Sequence, residues 1–292
     1  MPYFAQRPVQ HETLAVRGLQ FQLYRWPSTD PQPASPTTIL LHGWGETWQF
    51  VVDHLSPGRT LLAFDARGFG RTQWPADGYW FPDYLADLEA ILDHESPHAA
   101  VDLVGHSMGG NVAMLYAGVR PERVRRLISL EGFGLPRTAA VDAPQRYREW
   151  LDDLKRGTPF SMYDSFEQFV SVLARRNPRT GADHLDFIAR SWGRQRADGR
   201  VELRADPRHK QVSPALYQRD QAEACWREIT AVTHLLIGDQ SELARRMGEE
   251  LKPEILRPLF RELHCVTLPG AGHMMHHEQP QAVAELIESL LR

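Results

Sequence analysis

One short stretch constrains this 292-residue chain more than any other: Gly105-His106-Ser107-Met108-Gly109-Gly110. An apolar run at 99–104 leads into it, and a stretch with helical spacing at 111–118 follows it. Strand, sharp turn, helix is the setting in which G-x-S-x-G carries chemistry rather than chance. A turn this tight lifts the serine hydroxyl clear of a sheet. It also crowds the backbone two residues to either side, where only a residue with little or no side chain fits. The hydroxyl then faces the N-terminus of the helix, whose free N–H groups favour a developing negative charge.

The rest of the chain supplies the strands and helices that such a turn needs. Short apolar runs at 37–41, 60–64, 124–130, 232–237 and 264–268 read as buried strands, and 14–26 reads as one or two strands with Gly18 at a turn. Helical spacing occupies 84–94 and 282–291, and the proline-rich 27–36 reads as a surface loop. Apolar strands alternating with helices predict an α/β fold: a mostly parallel central sheet with helices on both faces. Residues capable of chemistry recur just past the strand ends, where open α/β sheets place their sites.

Between 136 and 224 the rhythm breaks. No strong buried strand is visible, charges are frequent, and helical spacing recurs at 145–154, 165–175 and 184–192, with 201–204 a short strand or turn. We read 136–224 as a mostly helical lid inserted into a core formed by 1–135 and 225–292.

The formal net charge of −4 offers no basic excess to hold a polyanion, so nucleic acid is not an expected partner. No apolar run has the length to span a bilayer. The first sixteen residues lack the cationic start and continuous apolar stretch of a secretory leader. Two cysteines, Cys225 and Cys265, do not make a disulfide framework; free thiols and a cytoplasmic location are expected.

A nucleophilic serine needs a base, a group that orients the base, and donors for the oxyanion. His273, in Gly270-Ala271-Gly272-His273 after the last strand, is the expected base. His276 and His277 follow it closely, but their spacing does not suit a metal site; no metal or cofactor is expected, and we read the pair as surface or lid-facing. The oxyanion donors are expected to be the N–H of Met108 and the N–H of Trp44, in His42-Gly43-Trp44-Gly45. Trp44, Trp48 and Phe133 are candidate substrate-pocket residues, and His42 reads as a structural histidine. Asp65-Ala66-Arg67-Gly68-Phe69-Gly70 reads as a loop fixed by hydrogen bonds and a local Asp65–Arg67 ion pair.

Taken as a set, the His42, Asp65, Ser107 and His273 motifs resemble those of the α/β-hydrolase superfamily. Leu130-Glu131-Gly132-Phe133-Gly134-Leu135-Pro136 is similar to the serine-hydrolase-like group related to the haloalkane dehalogenases. Much of this superfamily places the triad acid three residues after the glycine that ends the strand at 232–237. Here that residue is Ser241, with Asp239 and Glu242 out of register. Some dehalogenases of the resembling lineage place the acid at the end of the preceding core strand, which corresponds to Glu131. A glutamate closing an apolar strand is costly to bury without a partner, and a histidine that becomes cationic is such a partner. We therefore take Glu131 over Asp239. Dehalogenases use an aspartate nucleophile, whereas this chain has Ser107, so the resemblance implies an acyl-serine pathway on a small acyl substrate. Two other readings stay open: cofactor-free oxygenation or carbon–carbon bond hydrolysis on the same fold, and a ligand-binding protein with a vestigial triad.

Overall fold

The computed structural model describes residues 2–31, 35–44 and 47–292. Gly45 of the His42 motif lies outside the described residues. Eight strands form one sheet: β1 (Gln10–Val16), β2 (Leu19–Trp26), β3 (Thr38–Leu41), β4 (Leu61–Phe64), β5 (Val101–His106), β6 (Val124–Leu130) and two later ones, Val232–Gly238 and Leu263–Leu268. Three short strands intervene between these two groups: β7 (Met162–Tyr163), β8 (Gly193–Gln195) and β9 (Val201–Leu203). The last two strands of the large sheet are thus β10 and β11. Its order is β1-β2-β4-β3-β5-β6-β10-β11; the β1–β2 and β2–β4 pairs are antiparallel and the remaining neighbours parallel. The β1–β2 hairpin turns through Arg17 and Gly18, both at positive φ.

Each central strand feeds two cores, which explains why the strands read as mostly apolar runs rather than as alternating ones. Ile39, Leu41, Leu62, Phe64 and Leu103 point into one cluster, beneath the helices Pro82–Glu95, Met108–Val119 and Arg219–Glu228. Leu40, Leu61, Ala63 and Val104 point into the other, covered by the helix Pro280–Leu290 through Val283, Ala284 and Ile287. Spacings of one, three and four residues place those three side chains on one helical face.

The inserted segment carries the helices Ala143–Arg156, Phe166–Arg176 and Ala182–Trp192, but it is not simply helical. Strands β7, β9 and β8 form a three-stranded antiparallel sheet there. At two or three residues each, they are too short to leave a period in the sequence. The segment has its own small core of Tyr163, Phe169, Leu173, Leu185, Ile188 and Val201, which also takes in Phe50. The boundary read at 224 falls inside the helix Arg219–Glu228. That helix belongs with the main core, since Ala222 and Trp226 are buried there and a Cβ on Gly118 would lie 2.0 Å from the Cys225 carbonyl oxygen.

The Asp65–Gly70 loop is fixed differently from the expected local ion pair. Arg67 turns to the helix Pro82–Glu95, making two 2.6 Å bonds to the Asp87 carboxylate and a 3.1 Å bridge to Asp83. The Asp65 carboxylate instead accepts from Tyr24 Oη–H and the Arg71 N–H, both at 2.8 Å. The helix is long enough to offer two carboxylates to one guanidinium, which a two-residue separation in a tight loop cannot match. The same loop is stitched to the insertion: Gly70 N–H donates to Arg204 O at 2.7 Å, and Asp206 N–H donates to Gly68 O at 2.9 Å.

Candidate active site

Ser107 sits between the end of β5 and the helix Met108–Val119, with φ 50° and ψ −114°. A non-glycine residue held at positive φ is strained, and such strain persists only where the surroundings over-determine it. Here the Ser107 N–H is bound to Leu130 O at 2.8 Å, and Ser107 O accepts from Asn111 N–H at 3.0 Å. The flanking glycines answer to close approach. A Cβ on Gly105 would lie 2.4 Å from Gly109 O, and one on Gly109 would lie 2.3 Å from Leu41 O.

His273 reaches the serine from the loop after β11. Its Nε2 lies 3.1 Å from Ser107 Oγ and its Nδ1 lies 3.2 Å from Glu131 Oε2. The network assigns the proton to Nδ1, which leaves Nε2 free to accept from the serine. The loop is held by backbone contacts on several sides. His106 Nε2–H donates to His273 O at 2.7 Å, Gly272 N–H to Glu278 Oε2 at 2.6 Å, and Gln240 N–H to Ala271 O at 2.9 Å.

Glu131 closes β6 at φ 56° and is 1% exposed. Its Oε1 accepts the Gly238 N–H at 2.8 Å, and its Oε2 accepts the Ser241 hydroxyl at 2.6 Å as well as His273 Nδ1–H. No arginine or lysine pairs with it among the described residues. The geometry brings Ser107, His273 and Glu131 into one chain of contacts and leaves Asp239 outside it. The Asp239 carboxylate accepts the Gly270 N–H at 2.7 Å, so it anchors the histidine loop from beneath.

Two residues in this arrangement escaped the sequence reading. Ser241 was noticed only as a missing carboxylate. It caps the helix Glu242–Met247 by accepting from Ala244 N–H at 3.1 Å while its own proton goes to Glu131. His106 was read only as the variable position of the turn motif, yet it is fully buried and holds the backbone of His273. A buried strand ending in histidine was its available signal.

Met108 is the first residue of its helix, so its N–H has no partner within the helix and is free to face a negative charge beside Ser107. Trp44 follows β3 and is 42% exposed, its indole edge-on to Phe69 at 5.7 Å and to His209 at 6.5 Å. His209 belongs to the insertion and lies stacked on Phe69 at 4.0 Å, with Tyr79 at 3.6 Å on its other contacts. Burial there pushes its imidazole down to about 4. His42 is buried, accepting the Ala66 N–H at Nε2 (2.8 Å) and donating from Nδ1 to Gly43 O (2.7 Å).

A cavity of about 670 Å³ opens between the core and the insertion, and Trp44, Trp48 and Met274 stand in its wall. Ser107 and His273 are not part of that wall; Met274, the residue after His273, is. Phe133 is not there either. It is 1% exposed and packed in the main core, because the backbone after Glu131 dives under the helix Arg219–Glu228, whose Arg219 donates to Phe133 O at 2.8 Å. His276 and His277 are buried rather than at the surface, but the lid-facing reading holds for His277, whose ring lies 6.1 Å from that of Trp192 in the insertion. The His276 ring packs at a tilt against Trp48 and His106, at 5.2 and 4.2 Å, and His277 Nε2–H donates to Thr47 O at 3.1 Å. Among the described residues, no three His, Cys, Asp or Glu side chains are grouped to hold a metal ion. No described helix is long and apolar enough to cross a membrane.

Residues 38–286 match the alpha/beta hydrolase family, and the chain belongs to it. A 2-(acetamidomethylene)succinate hydrolase of Mesorhizobium japonicum is 25% identical over 262 residues, 88% of each chain. An esterase of Mycobacterium tuberculosis is 28% identical over 88% of this chain and 83% of its own length. Among solved structures, a thioesterase domain from the curacin biosynthetic pathway superposes with a TM-score of 0.79 at 26% identity, covering 96% of this chain and 99% of that domain.

Proposed function

We propose that this member of the alpha/beta hydrolase family cleaves a small carboxylic ester or related acyl substrate through an acyl-serine intermediate. The observation that carries the reading is the unbroken contact chain Ser107 Oγ, His273 Nε2, His273 Nδ1, Glu131 Oε2. Ser107 Oγ attacks the carbonyl carbon as its proton passes to His273 Nε2. The tetrahedral oxyanion is held by the N–H groups of Met108 and Trp44. The imidazolium then gives its proton to the leaving oxygen, and the acyl group stays on Ser107. Water enters, loses a proton to His273, and releases the acid as Ser107 is restored. Glu131 keeps the imidazole in one tautomer and stabilises its cationic form throughout, itself held by Gly238 and Ser241.

Labelling by a fluorophosphonate probe and turnover of short p-nitrophenyl esters test the reading. Ser107→Ala is expected to abolish both while leaving the fold intact. Full ester turnover in that variant removes the acyl-serine pathway. Turnover of a 1,3-dicarbonyl substrate under nitrogen, with no ester cleavage by the wild type, assigns carbon–carbon bond hydrolysis instead.

A further inference from the structure

The wall of the cavity between the core and the insertion is cationic. Among the described residues it contains four arginines, Arg71, Arg176, Arg190 and Arg204, and one carboxylate, Asp65. Arg190 is paired with Asp186 at 2.8 Å. Arg71, Arg176 and Arg204 have no salt bridge among the described residues; Arg204 Nε–H reaches only the Gly193 carbonyl, at 3.0 Å. The Asp65 carboxylate is already taken by Tyr24 and the Arg71 backbone, and burial raises its pKa, which weakens it as a counter-charge.

The arginines are brought together by the fold. Arg71 follows Gly70, whose N–H binds the Arg204 carbonyl, so the two side chains leave paired backbone segments of core and insertion. Burial and the charge of Arg71 both act against the charge on Arg204. Arg71, Arg176 and Arg190 are exposed and Arg204 is half-buried, and Asp65, the one carboxylate in the wall, acts on Arg204 in the opposite sense to Arg71. Four guanidinium groups against one carboxylate in a concave wall leave an excess of positive charge for an anion, to which planar guanidinium groups offer paired donors. Phe169, Phe187, Trp192 and Leu203 supply an apolar stretch of the same wall. Trp44 and Met274 place the cavity beside the oxyanion loop and the catalytic histidine loop.

We propose that the substrate carries an anionic group, a carboxylate or phosphate, remote from its scissile acyl bond, and that Arg71 and Arg204, with Arg176, bind it in this cavity. The inference rests on the acyl-serine reading for its kinetic test and stands apart from it for its binding test.

The kinetic test compares mono-p-nitrophenyl adipate with p-nitrophenyl hexanoate, which has the same chain length without the terminal charge. The wild type is expected to favour the adipate ester by about tenfold or more in kcat/KM, carried in KM and shrinking as salt is added. Arg71→Met/Arg204→Met should erase the preference, and Arg204→Lys should restore part of it. The binding test uses the Ser107→Ala protein, whose Tm adipate and butyl phosphate should raise. The same protein carrying Arg71→Met/Arg204→Met should show no rise. The larger of the two shifts assigns carboxylate or phosphate. Equal kcat/KM for the two esters in a phosphonate-labelled enzyme overturns the anion site and leaves the hydrolase reading standing. Failure of labelling and of both esters overturns the hydrolase reading; the Tm shift then decides the anion site, its loss in the double variant supporting it and its absence in the parent overturning it.

Discussion

Replacing Glu131 by glutamine tests the orienting acid most sharply, because the change is isosteric and both carboxylate oxygens have named partners. One oxygen takes the Gly238 N–H; the other takes the Ser241 hydroxyl and His273 Nδ1–H. If the amide keeps its oxygen toward Gly238, its NH₂ faces His273, which must turn Nδ1 into an acceptor. The proton then sits on Nε2, pointing at Ser107, and the base is lost. If the amide rotates, His273 regains an acceptor, but the NH₂ group is set against the Gly238 N–H. A buried donor left unsatisfied costs about 1–3 kcal/mol. In either orientation the charge that stabilises the imidazolium is gone. Loss of a triad carboxylate charge with geometry retained costs on the order of 10⁴ in kcat, or about 5.5 kcal/mol. We expect Glu131→Gln to lower kcat for p-nitrophenyl butyrate by about 10³–10⁴ on that basis, with far-ultraviolet circular dichroism unchanged. Asp239→Asn removes only charge from a bond to the Gly270 N–H, and should cost less than about tenfold, as an outer contact does. A folded Glu131→Gln enzyme keeping more than a tenth of wild-type kcat, or an Asp239→Asn enzyme losing as much as it does, refutes the reasoning.

Further outcomes follow from other contacts. Ser241→Ala deletes the hydroxyl that donates to Glu131 and caps the helix Glu242–Met247; kcat/KM should fall by about tenfold and Tm should drop through the lost cap, which Ser241→Thr should partly restore. Gly109→Ala drives a methyl to 2.3 Å from the Leu41 carbonyl, and urea melts should show a loss of about 3 kcal/mol or more, or no folded protein. His209 resists protonation in the folded state, with a pKa of about 4 against about 6.5 unfolded. Between those values the unfolded chain binds a proton that the folded chain does not, so stability should fall as pH drops from 6.5 toward 4. The slope of Tm against pH over that range should flatten in His209→Gln; an unchanged slope assigns the acid sensitivity elsewhere.

The strands were legible because their two faces are buried in different cores, which writes a mostly apolar run into β3, β4, β5, β6 and β10, interrupted at Asp102, Arg125, Arg126 and His234. The turn at Ser107 was legible because backbone approaches under 2.5 Å admit only glycine beside it. Glu131 stood out because a carboxylate closing an apolar strand needs a reason. Ser241 did not, since a serine opening a helix is ordinary capping and its second bond depends on a residue 110 positions away. The β7-β9-β8 sheet escaped for want of length; of the histidine pair, His277 does meet the insertion at Trp192, while the burial of His276 against Trp48 leaves no pattern in the sequence. Phe133 was assigned to a pocket by nearness in sequence to Glu131, but a single turn of backbone carries it into the core.

The two backbone bonds that stitch Gly68 and Gly70 to Asp206 and Arg204 set how the inserted segment can part from the core. Along that seam it cannot lift as a free flap, because separation would break both bonds and bare Phe69, which is 1% exposed. The helix Ala143–Arg156, by contrast, has no buried residue and exposes Tyr147, Leu151 and Leu154. The insertion is therefore fastened unevenly: bonded at the loop after β4 and, through Arg179, to Glu278 at 2.8 Å, but without a buried side chain along the helix Ala143–Arg156. Any parting of the two layers that keeps the Gly68 and Gly70 bonds must therefore begin away from the loop after β4, so Arg71 and Arg204 stay on the side where core and insertion are stitched.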